Sequence, residues 1–238
     1  MEIAEYTYRL QNGQPIVTVA GKQYLLSTGA ARSVGNAPVL LGRRDIDPRP
    51  SYQGITVANL RQRLGSQVAG MLGMDLLAPF AVHLYPGEDL LRLCPTCEIE
   101  GDTLPVEVVH GAPVFTVQAG GIGGRKMRLA VDTSSALSLV PEPLLRHCET
   151  LGSRESYHPL VGSYRTPCYA LDLAIDGTDR RFHAGVLPEN LEAHLGRQRL
   201  DGILGADLLE HFGICLRLTR RMITLGPRNF GIAAAAGA

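Results

Sequence analysis

Residues 70–93, GMLGMDLLAPFAVHLYPGEDLLRL, align without a gap on residues 202–225, GILGADLLEHFGICLRLTRRMITL. Gly70/Gly202, Leu72/Leu204, Gly73/Gly205, Asp75/Asp207, Leu76/Leu208, Leu77/Leu209, Phe80/Phe212, Leu84/Leu216 and Leu93/Leu225 are identical pairs. Upstream, YLLSTGAARSVG (24–35) matches LAVDTSSALSLV (129–140), and PIVTV (15–19) matches PVFTV (113–117). Three blocks recurring in one order read as an internal duplication, so the chain must build the same unit twice. The alignment sets Ser27 opposite Asp132.

A chain of 238 residues accommodates two lobes of about 100 residues each. The expected division is a first lobe over 1–95, a connection over 96–112 and a second lobe over 113–238. At 45% hydrophobic and 19% charged residues, both lobes can bury a core. The formal net charge of zero gives no long-range attraction for phosphate backbones or anionic membranes, so neither nucleic acid nor membrane is an expected partner. The N-terminus MEIAEYTYRL lacks an apolar h-region, and five cysteines without an export signal fit reduced thiols, so a cytoplasmic location is expected.

Short apolar runs divided by Gly, Pro, Asn and Asp predict β structure throughout. YTYRL, a Gln11-Asn12-Gly13 turn, IVTV, an Ala20-Gly21-Lys22 turn and QYLLS predict successive hairpins that bring Ser27 to a strand end. VFTVQ, the loop GGIGGRK and MRLAVD do the same for Asp132, and ALDLAID with RRFHAGVL predicts a further hairpin. Helix is expected only in DLLAPF, DLLEHF and PEPLLRHCETL (141–151). Asp75 and Asp207 open the first two and are expected to cap them. The glycine-rich QAGGIGGR (118–125) lacks the Lys-Ser/Thr and helix of a phosphate loop and reads as a hairpin turn.

These blocks resemble the aspartic proteases, in particular the retropepsin-like branch. That family has an apolar-apolar-Asp-Thr-Gly-Ala/Ser loop and, later, an apolar-Leu-Gly block leading into a short helix. LAVDTSSALSLV with DGILGADLLEHFGICLRL matches both, and YLLSTGAARSVG with AGMLGMDLLAPFAVHL matches them again. The resemblance covers nearly the whole chain. It implies an all-β, bilobal fold of two β-barrel-like lobes related by a pseudo-twofold axis. Single-chain pepsin-like enzymes share this arrangement.

The family's chemistry needs two carboxylates across the axis, one protonated and one acting as base toward a shared water. By resemblance, Asp132 falls on one catalytic aspartate and Ser27 on the other. A serine hydroxyl can hold a water but neither shares a carboxyl proton nor acts as base at neutral pH. Thr28 and Thr133 match the threonines that cross-link the two loops, with Gly29 and Ser134 following them. Ser134 stands where the family has glycine, and its Cβ is expected to crowd the turn. The family's flaps suggest substrate-binding roles for Tyr52, Gln53 and Gly54 in lobe one and Tyr164 in lobe two. The shorter stretch from Ser27 to Gly73 predicts a shorter flap in lobe one than in lobe two.

No cofactor or metal is expected. Cys94-Pro95-Thr96-Cys97 is the one close cysteine pair. A metal would need two further ligands, and no second such motif follows, so free thiols are preferred over a zinc or redox pair. His83, His110, His147, His158, His183, His194 and His211 show no ligand spacing and read as surface or cap residues. A Ser27–Asp132 nucleophile–base pair is weak chemistry, because an aspartate alone is a poor base for a hydroxyl.

Three functions remain open. The preferred one is a protein with an incomplete dyad that binds an extended peptide or an elongated, apolar small-molecule ligand between its lobes, with little or no proteolysis. The others are a peptidase working through Asp132 and a non-hydrolytic acid–base enzyme using Asp132 on a small molecule.

Overall fold

The computed structural model describes residues 3–96, 99–119, 124–175 and 177–228. The middle of the glycine-rich QAGGIGGR loop, Cys97 of the cysteine pair and the AAAAGA tail lie outside the described residues. Within them the chain is all-β. A ten-stranded sheet and an eight-stranded sheet account for most strands, with only short helices between.

The expected hairpins form. Strand Ala4–Gln11 turns at Asn12-Gly13, both at positive φ (52° and 81°), into Gln14–Val19. That strand turns at Ala20-Gly21 into Lys22–Leu26, which ends at Ser27. In the second half, Glu107–Val109 turns at His110-Gly111, again both at positive φ, into Ala112–Ala119. Strand Arg125–Val131 then ends at Asp132.

The repeated blocks keep one register. Leu26 pairs with Leu72 in a parallel ladder, and Val131 pairs with Leu204 in the same way. Val34 pairs antiparallel with Met71, and Leu139 with Ile203. Glycine is required where these strands cross. A Cβ on Gly70 would come within 2.0 Å of the Val34 carbonyl oxygen, and one on Gly202 within 2.3 Å of the Leu139 oxygen.

Lobe one and lobe two meet in the larger sheet. Its order runs Asp102–Pro105, Met222–Pro227, Phe212–Arg217, Ala81–Tyr85, Leu90–Cys94 and Ala4–Gln11 before continuing into lobe one. At the junction Val82 pairs with Leu216, His83 with Cys215 and Leu84 with Ile214. In the repeat, 83 corresponds to 215 and 82 to 214, so this antiparallel pair is centred on equivalent positions. A local twofold produces that pattern.

The segment expected as a connection carries two short strands. Asp102–Pro105 pairs with Met222–Pro227, as Ala4–Thr7 pairs with Leu90–Leu93. Glu107–Val109 pairs with Ala112–Val114, as Tyr8–Gln11 pairs with Gln14–Val17. One long strand in the first half thus corresponds to two short strands in the second.

The helices differ from expectation in two ways. Over 141–151, helix occupies only Glu142–Leu145, and strand Glu149–His158 begins soon after. Two eight-residue helices, Val57–Leu64 and Glu189–Gly196, were not anticipated. The first is fixed by reciprocal Thr56–Asn59 capping and ends at Gly65 in the left-handed region. Its Val57, Leu60 and Leu64 are buried against lobe one. Among the described residues no helix is long and apolar enough to cross a membrane.

Candidate functional site

The ends of Lys22–Leu26 and Arg125–Val131 bring the Ser27 and Asp132 loops together. The two threonines lock them. Thr28 Oγ1 donates to the Val131 carbonyl at 2.7 Å, and Thr133 Oγ1 donates to the Leu26 carbonyl at 2.8 Å. The Thr133 N–H donates to Thr28 Oγ1 at 3.1 Å, and the Thr28 N–H to Thr133 Oγ1 at 3.3 Å. Both threonines are buried, so each bond contributes on the order of 1 kcal/mol and would cost more to leave unmade.

Above this brace Asp132 is only 7% exposed, and its carboxylate is crowded with donors. Oδ1 accepts from Ser134 Oγ at 2.7 Å, the Ser134 N–H at 2.9 Å, Ser27 Oγ at 3.1 Å and the Gly29 N–H at 3.3 Å. Ser27 Oγ also lies 3.0 Å from Ser134 Oγ, so its single proton serves both neighbours, and it accepts from the Ala30 N–H at 3.1 Å. Burial pushes the Asp132 pKa up, but hydrogen bonds from His158 and Ser134 outweigh it. The net effect holds the carboxyl below its usual range.

The expectation for Ser134 is corrected. It is absent from the residues at positive φ, and its side chain binds the carboxylate rather than crowding the loop. Crowding falls on the other loop, where a Cβ on Gly29 would lie 2.3 Å from Asp132 Cγ. Gln14 reaches across and donates to the Ser134 carbonyl at 2.7 Å, tying the lobe-one hairpin to the second loop.

The reading of the histidines is corrected at His158, which is 4% exposed and reaches Asp132 Oδ2 with Nε2 at 3.4 Å. The Leu160 N–H donates to its Nδ1 at 3.2 Å. Nδ1 is therefore the acceptor, and the ring proton sits on Nε2, facing the carboxylate. His158 ends strand Glu149–His158 at the turn into Gly162–Ile175, the long flap hairpin of lobe two. A sequence signal existed: His158 lies six residues before Tyr164, in the approach to the stretch where the lobe-two flap was expected.

The flap hairpin is seated on the other lobe. Tyr157 belongs to the lobe-one apolar cluster with Ile55, Leu60 and Met71, and Leu160 packs against the same cluster. Arg63 on helix Val57–Leu64 donates to the Pro159 carbonyl at 2.7 Å, and Ser163 Oγ donates to the Arg63 carbonyl at 3.2 Å. The lobe-one hairpin is the shorter, as expected, with Ser51–Tyr52 paired to Ile55–Thr56. Tyr52 and Gln53 line the space beside Asp132, while Gly54 sits at the turn with nothing near a Cβ. Tyr164 is not brought to the site. It packs in the lobe-two cluster of Leu187, Leu191 and Leu195, and burial pushes its hydroxyl pKa up.

Little space remains around the carboxylate. A cavity of about 70 Å³ lies between Asp132, His158, Tyr52 and helix Glu189–Gly196, and one of about 30 Å³ between Ser27, Ser134 and Pro159. These volumes suit a few waters, far below the 300 Å³ or more of a typical ligand pocket. Asp132 is the one acid among the described residues lining either cavity. His110 and His194 line the larger one, but among the described residues no group of three His, Cys, Asp or Glu is placed to hold a metal.

The capping expected of Asp75 and Asp207 is also corrected. The cap positions are Gly73 and Gly205, and neither makes a side-chain cap bond. Asp75 Oδ1 accepts from the Ser33 N–H and Oγ, and Ser33 Oγ accepts from the Gly73 N–H. Asp207 accepts from Ser138 N–H and Oγ, and Ser138 Oγ accepts from the Gly205 N–H. Each lobe thus ties its site loop to its Leu-Gly block through an equivalent Asp–Ser pair. Burial pushes the Asp207 pKa up to about 7 against the Ser138 hydrogen bonds.

Comparison with solved structures agrees with this architecture. The chain superposes on the aspartic proteinase from Irpex lacteus with a TM-score of 0.52 over 98% of this chain and 99% of that one, at 13% identity. At that identity the likeness establishes the fold. No family model and no curated protein sequence matches the chain.

Proposed function

We propose that this is a non-proteolytic member of the aspartic-protease-like fold that takes an extended peptide between its lobes when the flap hairpin lifts. One observation carries the proposal: the carboxylate of Asp132 is held ionised by Ser27, Ser134, Gly29 and His158, and among the described residues lining its cavities there is no second acid. Family hydrolysis needs a proton shared between two carboxylates. Ser27 supplies only a hydroxyl, and a carboxylate saturated with donors is a weak base toward water.

The closed flap is compatible with ligand binding only if it moves. Its strands are long, and its tip is held by Tyr157, Leu160, Pro159 and the His158–Asp132 contact. Lifting it would expose backbone groups along the cleft, which an extended peptide can pair with in the manner of an added strand. Tyr52 and Gln53 would then lie over the bound chain.

The test is to pan a random peptide display library against the full chain and measure affinities of the retained peptides. Tyr52→Ala is expected to weaken binding. Asp132→Asn should leave affinity within about tenfold, roughly 1.4 kcal/mol, because a group built for catalysis adds little to ground-state binding. Failure to retain any peptide, including by a Leu160→Ser variant with a loosened flap tip, would remove the peptide-binding reading.

A further inference from the structure

We propose that the outer part of the cleft, along helix Glu189–Gly196, is an anion-selective subsite that takes a carboxylate of the bound peptide, an inference that rests on the peptide-binding reading above. The cavity beside Asp132 adjoins an outer one of about 200 Å³, with Gln53, Leu160, Leu191 and His194 lining both. Asn190 and Arg197 complete the outer cavity. Among the described residues no aspartate or glutamate lines it.

The helix builds the wall. Asn190, Leu191, His194 and Arg197 recur at spacings of three and four residues, which sets them on one face. Glu189 and Glu192 of the same helix line neither cavity. Arg197 ends the helix and makes no ion pair among the described residues, so its planar fork of N–H groups is open to the two oxygens of a carboxylate. Asn190 Oδ1 accepts from the Leu191 N–H at 2.9 Å, which leaves its amide nitrogen as a donor. Leu160 and Leu191 supply apolar surface for the methylenes that carry an acid. One permanent cation matches the single charge of a carboxylate and would leave a phosphate dianion half neutralised.

His194 marks the sign of the field. Gln198 Nε2 lies 2.9 Å from its Nε2, and an amide nitrogen only donates, so the imidazole is neutral with its proton on Nδ1. Burial pushes its pKa down, and Arg197, His158 and His110 push it further down. Around it stand Arg197 and Gln198 on its own helix, His158 from the flap hairpin, His110 from the turn before Ala112–Ala119, and Gln53 from the lobe-one hairpin. Asp132 lines only the inner cavity, where its oxygens are taken by Ser27, Ser134, Gly29 and His158. A carboxylate in the outer cavity would relieve this convergence of like charge and favour the protonated form of His194.

The experiment compares three forms of each peptide retained by panning: as selected, with its Asp and Glu changed to Asn and Gln, and with its C-terminus amidated. One of the two changes should weaken binding to the wild-type protein by about tenfold. Loss in the Asn/Gln form assigns the carboxylate to a side chain, and loss in the amidated form assigns it to the chain end. The selected form should bind more tightly as pH falls from about 7.5 to about 5.5, through the imidazole range, and the carboxylate-free form should not. Arg197→Ala should bind both forms alike, and Arg197→Lys should restore part of the difference. Affinity indifferent to both changes, or a preference that survives Arg197→Ala, would overturn this inference and leave peptide binding standing. Retention of no peptide by the wild type or by Leu160→Ser would overturn both. Should Arg197→Ala fail to fold, the comparison of the three forms on the wild type decides.

Discussion

At the scale of single residues, the account turns on what surrounds Asp132. Ser27→Asp should place a second carboxylate beside it, couple the two titrations and raise the pKa of one member. His158→Ala should remove the donor to Oδ2, raise the Asp132 pKa and cost about 1–3 kcal/mol, read by denaturant melts. Carboxyl NMR of Asp132 should show titration below 3.8 in the wild type and a higher value in His158→Ala. The two buried acids pull stability in opposite directions. Asp132, with its pKa lowered on folding, stabilises the fold above the ordinary carboxyl range and loses that contribution as pH falls through its folded value. Asp207 is raised from 3.8 to about 7, so it favours the fold at low pH and loses that advantage as pH rises through this window. Asp207→Asn should therefore flatten the stability profile between those two values. The sequence made Ser27, Thr28, Asp132 and Thr133 legible because they occupy matching positions in two aligned blocks. It did not reveal His158, whose contact with Asp132 exists only once a distant hairpin folds back.

Among the secondary-structure elements, what repeats was readable and what differs was not. The Asn12-Gly13 turn and the Leu-Gly blocks carry local chemistry that fixes a turn and a strand crossing. Gly70→Ala and Gly202→Ala should each destabilise the protein by about 3 kcal/mol or more, because the added methyl meets a backbone oxygen that cannot move aside. A melting experiment finding either variant near wild type would contradict the described crossing. Helix Val57–Leu64 could have been read from its apolar spacing at Val57, Leu60 and Leu64 behind a Thr56 cap, but the flap resemblance overlaid it. Helix Glu189–Gly196 starts behind Pro188 with acids in its first turn, a signal of the same kind. Strand Glu149–His158 is mostly exposed along its first seven residues, so it lacks the apolar alternation by which a strand is recognised.

Across the whole molecule, the lobes are joined by a sheet centred on the Ala81–Tyr85 and Phe212–Arg217 pair and closed over the site by a hairpin of lobe two resting on lobe one. The bilobal plan was visible as repetition in the chain. The closed cleft was not, because Tyr157 and Leu160 look like ordinary strand and turn residues until their packing partners are known. The seated hairpin and the ionised carboxylate of Asp132 both support the proposal that this scaffold does not hydrolyse peptides as built. The direct measurement is to incubate the wild-type protein with a diverse peptide mixture across acidic to neutral pH and search for new termini by mass spectrometry, with Asp132→Asn alongside. The account predicts no cleavage by the wild type beyond that seen with Asp132→Asn. Efficient cleavage by the wild type that disappears in Asp132→Asn would contradict it.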